Sequence, residues 1–173
     1  MPVSTINGAS AGSSGTIITT GSSGQSIPKA ALPTGSVLQV VQGSYSTQTD
    51  TTSNSYVDTG LTASITPTSS SSKILVLVSQ TGLVKFGGSG NGPYMGLRLL
   101  RSGIEIIIFE RQILYNASTQ EVNAASSTVY LDSPATTSST TYKTQFRNAA
   151  LSGTVRICAD TTTATITLME IAA

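Results

Sequence analysis

The chain predicts an all-β fold: an antiparallel two-sheet jelly-roll sandwich over residues 36–173, preceded by an extended low-complexity arm over residues 1–35. Three observations predict it. From Ser36 onward, apolar residues recur with period two in short segments bounded by Gly, Ser, Thr and Pro, the pattern of half-buried strands. No segment shows a sustained 3.6-residue period; Gln112 to Ala125 is the one place a helix could sit. The first 35 residues are mostly Ser, Gly, Thr and Ala. They bury too little apolar surface to offset roughly 1–2 kcal/mol of backbone entropy per ordered residue. A chain of 173 residues suits one domain with a sizeable core plus such an arm.

The arm contains a nine-residue near-repeat, Gly12-Ser13-Ser14-Gly15-Thr16-Ile17-Ile18-Thr19-Thr20 followed by Gly21-Ser22-Ser23-Gly24-Gln25-Ser26-Ile27-Pro28-Lys29. Order there requires an outside support, so the arm reads as an anchor on a neighbouring subunit. Its apolar residues Val3, Ile6, Ile17, Ile18 and Ile27 are the expected contacts. Pro28 and Pro33 bracket the join, and Val37 to Tyr45 is the first strand. Thr47 to Ser55 reads as a loop, Tyr56 to Thr59 and Leu61 to Thr66 as two short extended pieces, and the serine run Ser69 to Ser72 as a solvated turn.

Lys73 to Val84 is the strongest strand, and Gly87 to Pro93 a flexible loop. Tyr94 to Arg101 and Ile104 to Tyr115 form a hairpin about Ser102-Gly103, where Gly supplies a positive φ. Ser127 to Asp132, Thr140 to Arg147, Thr154 to Ala159 and Ala164 to Ile171 complete about nine strands.

The strands are of two kinds. Tyr142 and Phe146 alternate with Lys143 and Arg147, and Val155 and Ile157 with Arg156, as in a sheet with one dry and one wet side. Ile74 to Val78 and Ile104 to Phe109 are apolar on both faces. A sandwich has one interior, so such strands lie under a covering loop or meet another subunit. The second explanation makes Leu75, Leu77, Ile107 and Phe109 an oligomer interface, with a cyclic homotrimer as the expected assembly.

Charged residues make up 10% of the chain and the net charge is +1. This argues against nucleic-acid binding, which needs a basic face, and against a polybasic membrane anchor. No apolar stretch approaches the roughly 20 residues that span a bilayer, and no signal peptide is visible. Without histidine, Ser-His and Cys-His catalysis and histidine metal sites are excluded in their usual forms.

The single cysteine, Cys158, sits in an apparent strand and reads as a small core filler. Gly87 to Gly92 opens no helix and reads as a loop, not a phosphate cradle. Among the acids Glu105, Glu110, Glu121, Asp132 and Asp160, the first two are an odd number of positions apart. They therefore point to opposite faces of an unbulged strand and make no catalytic pair. Glu105 is expected to face Arg98 or Arg101, and Glu110 to pair with Arg111 or Arg147. No calcium-loop spacing surrounds any Asp. No enzyme activity, metal or cofactor is expected. Asn91 and Tyr94 are the candidate glycan contacts, and strand-end packing is the alternative role for Tyr94.

Several segments bear a family resemblance. These are Gly21-Ser22-Ser23-Gly24, then residues 27–41 (Ile27-Pro28-Lys29-Ala30-Ala31-Leu32-Pro33-Thr34-Gly35-Ser36-Val37-Leu38-Gln39-Val40-Val41), Tyr56 to Pro67, Ser72 to Val78 and Ile166 to Ile171. Together they resemble the terminal domains of tailed-phage virion surface proteins, often from phages of cyanobacteria. The match covers most of the chain and is one of pattern, not of a catalytic motif. It implies a trimeric jelly-roll knob on the virion, assembled in the host cytoplasm. The chain departs from a typical fibre in lacking a long shaft.

Two functions follow from the resemblance. One is a capsid decoration or cement protein whose arm lies along the major capsid protein or another virion protein. The other is a tail-fibre tip that recognises host surface glycans through loops around Asn91 to Tyr94 or Thr47 to Asn54. A glycan hydrolase is a remote third, because no acid pair survives the geometry argument.

Overall fold

The structure is a computed structural model that describes residues 32–88, 92–115, 120–150 and 152–173. The chain divides at Pro33 and Thr34 into two units. The second unit, Thr34–Ala173, is an all-β sandwich of two antiparallel sheets. The arm residues Val3, Ile6, Ile17, Ile18 and Ile27, and Asn91 in the Gly-rich loop, lie outside the described residues.

Among the described residues ten strands form in chain order: β1 Val37–Tyr45, β2 Thr49–Thr51, β3 Val57–Ile65, β4 Lys73–Phe86, β5 Met95–Arg101, β6 Ile104–Ile113, β7 Val122–Asp132, β8 Thr140–Asn148, β9 Thr154–Ile157 and β10 Ala164–Ile171. One sheet has the order β1-β10-β4-β9-β2, with β7 on the other edge of β4; the second has the order β3-β8-β5-β6. The long β4 joins two partners end to end on one edge. Its first half pairs with β10 and its last three residues with β9. A register shift between Gln80 and Leu83, beside Gly82 at φ +59, separates its two halves.

Alternation dictates the core. Ile74, Val76 and Val78 of β4, Ile166 and Leu168 of β10, Leu61 and Ile65 of β3, Leu97 and Leu99 of β5, and Tyr142 and Phe146 of β8 face inward and are buried. The β5–β6 hairpin turns at Ser102 (φ +48) and Gly103 (φ +85), the two positive angles of a tight I′-like turn.

Several sequence expectations are corrected. The segment Thr47 to Ser55 is not all loop, because Thr49–Thr51 pairs with Val155–Ile157 of β9. Tyr56 to Thr59 and Leu61 to Thr66 are not separate pieces. They belong to one strand interrupted by a bulge, where Thr59, Gly60 and Leu61 together oppose Thr144. Gly60 adopts φ +92 there, and Thr59 Oγ1 accepts the Leu61 amide hydrogen at 3.0 Å. The described part of Gln112 to Ala125 contains the end of β6 and the start of β7, and no helix. Cys158 lies just past β9, at φ +52 and fully buried, where burial pushes its thiol pKa up.

Candidate functional site

The two sheets present outer faces of opposite character. On the outer face of β1-β10-β4-β7, registered pairs align Val40, Met169, Leu75 and Leu131 in one row across four strands. The next row is Gln42, Thr167, Leu77 and Val129. Val37, Val40, Val129 and Leu131 are 50%, 55%, 64% and 51% exposed, so four of the six large exposed apolar residues described cluster here. Lys73, at one end, is the only charged residue among the outward positions of these paired strands. The middle of this face is thus apolar where an ordinary one-sided sheet would be polar, and it gives way to a polar row of Ser44, Thr165, Ser79 and Ser127.

The expected interface residues divide between two places. Leu75 and Leu77 lie on this apolar face. Ile107 and Phe109 lie in β6, at the edge of the other sheet, partly buried against the core. β6 also carries Ile104, 66% exposed, at the hairpin tip. The edge strands β6 and β7 meet where Ser126 Oγ donates to Glu110 Oε1 at 2.7 Å. Glu110 therefore takes a serine partner and not the arginine expected from sequence. The apolar face and the β6 edge adjoin along this rim.

The outer face of β3-β8-β5 is polar. Asp58 accepts from Lys143 Nζ at 2.8 Å and from Gln145 Nε2 at 2.6 Å. Burial opposes ionisation of Asp58, but these bonds outweigh it and hold its pKa below the usual carboxylate range. Arg98 donates to Gln145 Oε1 at 2.6 and 2.9 Å and to Glu105 at 2.9 Å, the ion pair expected across the hairpin. Two guanidiniums lie over the Tyr56 ring, with Arg98 Cζ 4.1 Å and Arg147 Cζ 4.8 Å from its centroid. The bulge in β3 opens a groove of about 170 Å³ lined by Asp58, Gly60, Leu61, Thr62, Lys143 and Thr144.

Inside the sandwich, polar groups are satisfied in chains. Thr59 Oγ1 and Thr144 Oγ1 are 2.6 Å apart, and Thr144 Oγ1 donates to Gln80 Oε1 at 3.2 Å, linking the two sheets through buried hydroxyls. Asp132 accepts from Arg101 Nη1 at 2.8 Å and from Tyr142 Oη at 2.6 Å. Burial, then this carboxylate, pushes the Tyr142 pKa up. Glu170 is fully buried and accepts from Gln39 Nε2 at 2.6 Å and from Thr68 N and Oγ1, both at 2.7 Å. Sequence reasoning passed over Thr59, Gln80, Thr144 and Glu170. The alternation of Ile166 and Leu168 places Glu170 on the inward face and could have found it.

These acids are occupied in structural bonds, and no cluster of three potential metal ligands occurs among the described residues. Tyr94 packs edge-on against Tyr115, with centroids 5.6 Å apart at 75°. No protein-family model matches the chain, and no curated protein matches it.

Proposed function

We propose that the protein is a structural protein of a phage virion, a trimeric decoration protein that anchors to the capsid through residues 1–35 and presents the sandwich as a knob. The observation that carries this reading is the apolar outer face of β1-β10-β4-β7. A side chain half exposed in one chain gains roughly 1 kcal/mol when a partner covers it, about half the value of complete burial. Val37, Val40, Val129 and Leu131 with their neighbours therefore supply several kcal/mol towards association before ordering costs.

A second apolar patch on β6 favours a cyclic arrangement. Two unlike patches on one chain make a heterologous contact, which closes into a ring when the rotation permits.

The pairing pattern supports a jelly roll. The pairs β1 with β10, β3 with β8, β4 with β7 and β5 with β6 are nested, as in a long hairpin wound into two sheets. The pair β2 with β9 fits the same nest, between β1–β10 and β3–β8.

Deleting residues 2–30 in the phage tests the function. Purified heads should lose the protein and become fragile. Heads that stay decorated while adsorption to the host fails would reject the decoration reading and favour a tail-fibre tip.

A further inference from the structure

We propose that residues 15–20 of one copy, Gly15-Thr16-Ile17-Ile18-Thr19-Thr20, add a strand to the outer edge of β6 in the next copy. Among the described residues β6 pairs with β5 alone and ends its sheet. It is ten residues long and holds no Gly, Pro or Lys, residues that commonly blunt a sheet edge. Its middle, Ile106 to Phe109, is uncharged. The opposite rim of the sandwich is closed: Gly43 of β1 packs against the Thr62 carbonyl of β3, and Gln39 Nε2 donates to Thr66 O at 2.7 Å. The other strand at the β6 rim, β7, is small or polar from Ala125 to Thr128 and offers no apolar run there.

The occupant follows from pattern. Every residue from Thr16 to Thr20 is β-branched, the longest such run in the arm. Ile17 and Ile18 are adjacent, so a strand sends them to opposite faces. Most edges have one polar face and would leave one isoleucine in water. The middle of β6 alternates Ile106 and Ile108 with Ile107 and Phe109, so a strand beside it buries both. Backbone hydrogen bonds along the edge supply affinity, and the two isoleucines fix the segment.

The choice of the next copy rests on the ring proposed above. The arm leads into β1 at Val37, which is 50% exposed on the apolar face. In the ring that face meets the β6 patch of a neighbour, so the arm starts at the contact it reinforces. The span from Thr20 to Thr34 reaches roughly 45–50 Å when extended. A four-stranded sheet is only about 15 Å across between its outer strands. Residues 1–14, with Val3 and Ile6, remain for the shell.

Amide hydrogen exchange of the full chain tests the proposal. In the wild type, the β6 amides that point away from β5 should exchange slowly. In an Ile17→Asp, Ile18→Asp double variant they should exchange at least about tenfold faster, with β8 and β10 unchanged. A Val3→Asp, Ile6→Asp variant should keep the wild-type protection. Fast exchange at the β6 edge of a wild-type trimer would overturn the proposal and leave the ring standing. Equal protection in the Ile17→Asp, Ile18→Asp variant would overturn it too, as would an equal loss in the Val3→Asp, Ile6→Asp variant. A folded single-chain species made by Val129→Lys and Leu131→Lys should show fast β6 exchange with its arm intact. Protection persisting there would mean that the arm docks on its own chain, against the proposal. Failure of the ring itself is read separately, as a wild-type mass of one chain.

Discussion

Glu170 shows how a single side chain ties distant segments together. Its carboxylate joins β10 to Gln39 of β1 and to Thr68 in the turn before β4. Burial acts to raise its pKa, and the hydrogen bonds from Thr68 and Gln39 outweigh that and lower it. A depressed carboxylate pKa adds stability above the unfolded value of about 4.3, and that stability disappears as pH falls through the folded pKa. Glu170→Gln should therefore cost about 2 kcal/mol at neutral pH. It should also flatten, without abolishing, the loss of stability between pH 6 and 3, since the lowered pKa values of Asp50 and Asp58 act in the same direction. Urea denaturation of both proteins across that range measures this. The inward position of Glu170 was legible from the alternation of its strand, but its partners were not, because Gln39 and Thr68 lie more than a hundred residues away in sequence.

The strands were legible where period two was uninterrupted, as in β8 and β10. Legibility failed at bulges and at short strands. Gly60 and the extra residues opposite Thr144 break the alternation of β3, so one strand looks like two. β2 contains only Thr, Asp and Thr, and exists because β9 offers an edge and Arg156 grips Asp50 at 2.7 and 2.8 Å. Polar composition alone says loop there, and tertiary pairing overrides it. Close approach of the sheets also depends on an element detail. A Cβ at Gly43 of β1 would run into the carbonyl oxygen of Thr62 in β3. Gly43→Ala should destabilise the protein by about 2 kcal/mol through overpacking. Gly103→Ala, in an open turn at φ +85, should cost only the left-handed backbone penalty of about 1 kcal/mol. Comparing the two denaturation midpoints separates a steric effect from a conformational one.

For the whole molecule, the two-sheet architecture follows from the strand pattern, whereas the positions of the apolar surfaces emerge only from register. Sequence marks β4 as apolar on both sides. Pairing adds Val40, Met169, Leu131 and Val129 to its outward Leu75 and Leu77, turning one strand's anomaly into a face. Pairing also sends Ile107 and Phe109 against the core, leaving Ile104 as the exposed large apolar residue of β6. In the proposed assembly this face holds copies of the chain together in a closed ring. The most direct measurement is the mass of the purified protein in solution by light scattering, for the wild type and for a Val129→Lys, Leu131→Lys double variant. The wild type should show three times the 17.7 kDa chain mass, and the variant a folded species of one chain mass. A wild type of one chain mass, or a variant that keeps the trimer, would contradict it.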